Sequence, residues 1–142
     1  MSESEYRNWR RETDLDGVCW LTIDRAGESA NSLSREVFTE LEQIVSDLEQ
    51  NPPRGLVLQS GKDNSFIVGA DVREFDQVAS ADEAEAFIRE AHTLLDRVEA
   101  LPFPTAVIIE GYCLGGGLEL GLCFVYRFAR IVEATRLGYP VV

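Results

Sequence analysis

Histidine, methionine and lysine each occur once in the chain, and cysteine three times. Cys19, Cys113 and Cys123 form no C-x-x-C pair and have no histidines at metal-ligand spacing, which excludes the usual zinc patterns. Odd in number and without a secretory leader, they read as small, reduced, buried residues of a cytoplasmic protein. No stretch reaches the roughly 18 consecutive apolar residues that a membrane span needs. The start, MSESEYRNWRRETDLD, is polar and mixed in charge, unlike a signal or transit peptide. Positive charge is short as well, 13 Lys and Arg against 25 Asp and Glu, for a net charge of −12. With a pI of about 4.4, the chain lacks the basic footprint that nucleic-acid phosphates require.

What is present describes an ordinary globular chain. It has 142 residues, 45% hydrophobic and 27% charged, so one domain or part of one is expected. A domain of this size can bury roughly 68–70% of its unfolded surface. Residues 1–16 read as a polar lead-in and 17–142 as the folded part. Val18 to Asp24 is rich in strand formers. Ser34 is a suitable N-cap for a helix to about Gln50, with Val37, Phe38, Leu41, Ile44, Val45 and Leu48 on one face. Gly55 to Ser60 predicts a second strand, and Phe66-Ile67-Val68 follows a polar loop.

Ser80 with Glu83 matches a capping box. The helix it opens carries Ala84, Phe87, Ile88, Ala91, Leu94, Leu95, Val98 and Leu101 on one stripe, ended by Pro102 and Pro104. Thr105 to Ile109 predicts a core strand, followed by a glycine run, a short helix through Leu118 to Leu120, and a strand around 125–132. Strands alternating with helices imply an α/β architecture of crossover units. The last residues, from Arg136 to Val142, show no helix or cap, and the expectation is a fold that continues beyond them.

The run Gly115-Gly116-Gly117 fits none of the common phosphate or nucleophile motifs. A dinucleotide fingerprint from Gly115 would want glycine or alanine where Leu120 stands. A P-loop from Gly111 would want lysine where Gly117 stands, and a nucleophile elbow at Ser60 would want glycine where Leu58 stands. His92 lies mid-helix and reads as a solvated surface residue. A strand that ends in glycines and enters a helix presents unpaired N–H groups at the helix start, where the dipole favours negative charge. Such a site can hold phosphate or stabilise an oxyanion forming on a carbonyl. Glu119 lies three residues after Gly116, close to one helical turn, so its carboxylate can act beside that oxyanion. The same residues equally suit tight strand–helix packing with Glu119 as a first-turn acid. In Phe66-Ile67-Val68-Gly69-Ala70-Asp71, a turn with Asp71 capping the next segment is the structural alternative.

Taken together, DGVCWLTIDR, Asn31-Ser32-Leu33, SFIVGADVREF, LPFPTAVIIEGYCLGGGLELG and ATRLGYP resemble the crotonase, or enoyl-CoA hydratase/isomerase, superfamily. SFIVGADVREF is similar in particular to the hydratase region at the amino end of fatty-acid oxidation complexes. The resemblance runs from about Gly17 onward and covers the amino-terminal half of the family's length. It implies a spiral fold of repeated ββα units, and exposed apolar surface where further units would pack.

The resemblance also implies roles. The N–H groups of Ala70 and Gly116 would form an oxyanion hole for an acyl-CoA thioester, with Glu119 as catalytic acid/base. Phe66, Ile67, Gly69, Asp71 and Gly115 would line the substrate side, and Arg25 would approach the CoA phosphates. No metal or redox cofactor is implied, since CoA arrives as part of the substrate; the family form implies a homo-oligomer. The expected reaction is hydration of a 2-enoyl-CoA to a 3-hydroxyacyl-CoA in fatty-acid β-oxidation. The second glutamate of the family follows Gly-x-Pro directly, yet Val141 follows Gly138-Tyr139-Pro140 here. That departure keeps two alternatives open: a double-bond isomerase, in which one carboxylate moves a proton, and an inactive acyl-CoA-binding fragment. The acidic net charge does not oppose CoA binding, because local groups set it, but predicts weaker association at low salt.

Overall fold

A computed structural model describes residues 6–77 and 80–139 of the chain. Two sheets and three helices build it. The first strand, β1 (Trp9–Thr13), pairs antiparallel with β2 (Val18–Ile23). Helix α1 (Arg35–Gln50) leads to β3 (Gly55–Ser60) and the short β4 (Ser65–Ile67). A 3-10 turn (Val72–Gln77) precedes α2 (Ala81–Glu99), then β5 (Thr105–Ile109) and β6 (Tyr112–Leu114). Helix α3 (Gly116–Leu122), β7 (Tyr126–Ala129) and β8 (Arg136–Gly138) complete the described chain.

The larger sheet has the order β1-β2-β3-β5-β7, parallel beyond β2; the smaller has the order β4-β6-β8, all parallel. Each turn of the chain therefore adds a strand to the large sheet, then one to the small sheet, then a helix. The first turn obeys the same scheme, because Leu33 bridges to Ala70 before α1 begins. These are the expected repeated ββα units.

Local chemistry explains the elements. Ser34 caps α1 by accepting from the Val37 N–H at 3.2 Å, and Ser80 caps α2 by accepting from the Glu83 N–H at 3.1 Å. The inward rows of the large sheet run Leu21–Leu58–Val107 across neighbouring strands, all three fully buried. Each such side chain contributes roughly 1.5–3 kcal/mol by leaving water. Val37, Leu41, Ile44, Val45 and Leu48 of α1 close over them.

Three expectations change. The stretch read as a polar lead-in carries β1, whose Trp9 is 1% exposed and donates its indole N–H to the Val37 carbonyl. Its polar composition is that of an edge strand, with Trp9 anchored inward, Arg11 half-buried on Asp47 of α1 and Arg10 outside. The glycine-run approach and the segment from Arg136 add β6 and β8, three-residue strands defined by parallel pairing, β6 with β4 and β8 with β6. On α2, only Leu94 and Val98 are buried; the amino-terminal part of its apolar stripe faces a cleft instead of the core. Strand β7 is exposed along its length at the open edge of the large sheet, with Tyr126 and Phe128 in solvent. No described helix is long and apolar enough to cross a membrane.

Candidate active site

Two loops meet where β4 ends and α3 begins. At the first, Gly69 has φ +118°, and its carbonyl accepts from the Leu33 N–H at 2.8 Å. A trans peptide points its C=O and N–H in opposite directions, and the described chain has no cis bond. Pinning the Gly69 carbonyl on Leu33 thus turns the Ala70 N–H away from Leu33. No described group accepts from it. Asp71 returns its own N–H to the Leu33 carbonyl at 3.3 Å, closing the bridge on the other side of Ala70.

At the second loop, Gly115 adopts φ +54° as the N-cap of α3, a conformation that side chains disfavour. Its carbonyl accepts from the Glu119 N–H at 3.1 Å, so by the same peptide geometry the Gly116 N–H points back out of the helix. A Cβ on Gly117 would lie 2.5 Å from the Ile67 carbonyl oxygen, and one on Gly116 would lie 3.0 Å from Leu33 Cδ1. Glycine thus lets α3 seat directly on β4 and brings its first N–H groups beside Leu33 and Ala70.

Ala70, Gly116 and Glu119 line one cleft of about 380 Å³. Its other walls are Leu33, Phe38, Phe87, Ile88 and Leu95, with Arg35 at the side; the Arg35 guanidinium lies 4.8 Å over the Phe87 ring. Glu119 is exposed, and no described side chain bonds its carboxylate. His92 is exposed, as expected, yet borders the same cleft. The cleft walls from α2 escaped the sequence reading because a helical stripe has one period whether it faces a core or a cavity.

Of the other expected residues, Asp71 also lines this cleft, whereas Arg25 does not. Phe66 and Ile67 are fully buried, so only their backbone is near the cleft. Arg25 is 14% exposed, with its Nη1 2.7 Å from Asp71 Oδ2 and also on the Ser32 hydroxyl. Arg73 donates to Asp71 Oδ1 through both its backbone N–H and its Nε, at 3.1 and 3.0 Å, and pairs with Glu28. Together Arg73 and Arg25 hold the Asp71 carboxyl well below the usual carboxylate range, against the opposing effect of burial. This cluster lines a separate polar basin shared with Arg7, Asn8 and Glu36. The Asp71 carboxylate also caps the 3-10 turn, as its structural reading anticipated. Val141 falls outside the described residues.

One buried residue joins the two halves of the site. The Asn31 side chain is 0% exposed; its Oδ1 accepts from the Arg25 N–H, and its Nδ2 donates to Ile23, Ser60 and Phe66. It ties the ends of β2, β3 and β4 together. The sequence signal for it was the Asn31-Ser32-Leu33 turn, whose function only the fold reveals.

Comparison with known proteins points one way. The profile described as enoyl-CoA hydratase/isomerase matches residues 13–130. The chain is 40% identical over 131 residues to the fatty acid oxidation complex subunit alpha of Aliivibrio fischeri, covering 91% of this chain and 19% of that protein. It is 40% identical over 141 residues to that of Shewanella sp. MR-4, covering 99% and 20%. Among solved structures, Pseudomonas aeruginosa AtuE superposes with a TM-score of 0.83 at 25% identity, covering 94% of this chain and 51% of that one. An enoyl-CoA hydratase/carnithine racemase from Magnetospirillum magneticum gives 0.83 at 27% identity, covering 94% and 49%. The chain thus spans about a fifth of those curated relatives and about half of the solved structures.

Proposed function

The chain belongs to the enoyl-CoA hydratase/isomerase family, and from that premise we propose that its cleft receives the thioester of a 2-enoyl-CoA and directs its hydration to the 3-hydroxyacyl-CoA in fatty-acid β-oxidation. One observation carries the reading: the outward N–H groups of Ala70 and Gly116 share a largely apolar cleft with the unpaired carboxylate of Glu119. In the proposed step, water adds its oxygen to Cβ as Glu119 takes its proton. The electron pair of the double bond moves onto the thioester oxygen, where the two N–H groups stabilise it. It returns as Cα takes a proton from Glu119. Losing one such donor costs about 2.7–4 kcal/mol of barrier in a comparable oxyanion site. CoA enters as part of the substrate, and no further cofactor takes part. A reducing cytoplasmic setting and the homo-oligomer of the family belong to the same proposal; the three free thiols support the former.

Val141 supports a second reading, an acyl-CoA binder without turnover, because an apolar side chain can neither orient water nor move a proton. The third, a double-bond isomerase, needs one carboxylate and yields a different product. Loss of the conjugated-thioester absorbance of crotonyl-CoA, with product identification, separates all three. Formation of the 3-hydroxyacyl thioester that vanishes in Glu119→Gln supports hydration. A shifted double bond selects the isomerase, and binding without product in either chain selects the binder.

A further inference from the structure

The Ala70 donor is aimed by its neighbours on both sides. Gly69 and Asp71 bond to the two faces of Leu33, and one residue further out Arg25 spans the same bridge, with its Nη1 on Ser32 before Leu33 and on Asp71 after Ala70. Asp71 is 7% exposed, and both its carboxylate oxygens are used, by Arg25 and by Arg73. Both bonds leave the same nitrogen, Nη1, so one buried donor ties Ser32 to Asp71 and restricts the relative slide of the two segments. The Arg25 carbonyl is held in turn by Lys62 Nζ at 2.7 Å, and its N–H by Asn31, so the side chain has a fixed base.

We propose that the Arg25–Asp71 pair is a positioning device for the Ala70 N–H, holding the thioester donor in line. Arg25 thereby acts through Asp71, not by contact with CoA phosphates. The inference rests on the thioester reading above.

The test uses the full chain with cinnamoyl-CoA and, separately, free CoA as probes. Hydrogen bonding to the thioester oxygen polarises the conjugated system and moves its absorbance to longer wavelength. The unsubstituted chain is expected to show that shift. Arg25→Gln and Asp71→Asn are expected to lose it and to bind cinnamoyl-CoA about fivefold more weakly, with free-CoA affinity unchanged. Arg25→Lys keeps the charge, but its Nζ ends one atom short of the Nη1 position, so it is expected to lose most of the shift; it decides the matter if the other variants do not fold by circular dichroism. A full shift in folded Arg25→Lys, or a loss of free-CoA affinity with the shift intact, would overturn the positioning role and leave the thioester site standing. No shift in the unsubstituted chain would overturn the thioester reading and the positioning role with it.

Discussion

Arg25 Nη1 lies 2.7 Å from Asp71 Oδ2, and the two side chains are 14% and 6% exposed. A pair this deeply placed is costly to half-remove, because the survivor keeps a poorly hydrated charge and loses its nearest charged partner. It also lies between the two elements that matter most at the site, the Leu33 bridge and the start of the 3-10 turn.

Asp71→Asn is therefore expected to destabilise the chain by about 3 kcal/mol at pH 7, measured by urea unfolding. The folded carboxyl titrates below its ordinary value of 3.8, so its stabilisation is complete above that value. It declines progressively as pH falls from that value toward the lower folded-state value. The gap between the two chains should accordingly close in acid, and a gap that stays constant from pH 7 to pH 2 would contradict the assignment.

Gly117→Ala brings a Cβ to 2.5 Å from the Ile67 carbonyl oxygen and 2.7 Å from Ile67 Cβ. Backbone cannot yield cheaply there, and a loss of about 1–3 kcal/mol is expected from overpacking. Gly138→Ala meets nothing within 4 Å and serves as the comparison, with a change within about 0.5 kcal/mol. Thermal midpoints of both variants check the contrast.

Asn31→Ala removes a fully buried amide that makes four hydrogen bonds. The carbonyls of Ile23 and Phe66 and the N–H of Arg25 lose that partner, and a cost of about 3 kcal/mol is expected in urea unfolding. Faster hydrogen exchange at the ends of β2 and β4 would locate the damage.

Burial pushes the thiols of Cys19, Cys113 and Cys123 up to about 11. At pH 8 only about one in a thousand of each is thiolate, the reactive form. Titration with a chromogenic disulfide should find the folded chain nearly inert and the urea-unfolded chain reacting at all three cysteines.

Ile88 borders the cleft while 54% exposed. Ile88→Ala is expected to leave stability within about 0.5 kcal/mol and to weaken a medium-chain enoyl-CoA about fivefold, close to 1 kcal/mol of lost apolar contact. Calorimetric titration against crotonyl-CoA, whose short chain should lose less, tests whether α2 lines the acyl path.

Much of this protein was legible from residues alone. The helices α1 and α2 follow from caps at Ser34 and Ser80 and from apolar spacing, and β2, β3 and β5 from runs of strand formers; all are local properties. The ordered motifs around Gly69-Ala70-Asp71 and Gly115-Gly116-Gly117 determined the family, and with it the expectation that Ala70, Gly116 and Glu119 meet. What only tertiary structure decided depends on partners far along the chain. The strands β6 and β8 exist because each finds a parallel neighbour, β4 and β6 respectively, and β1 because Trp9 finds the Val37 carbonyl. Phe87 and Ile88 face a cleft because α3 and the Ala70 loop stop short of them. Arg25 meets Asp71, 46 residues away in the sequence. Periodicity records which side of an element is apolar, but what that side meets is set by long-range packing.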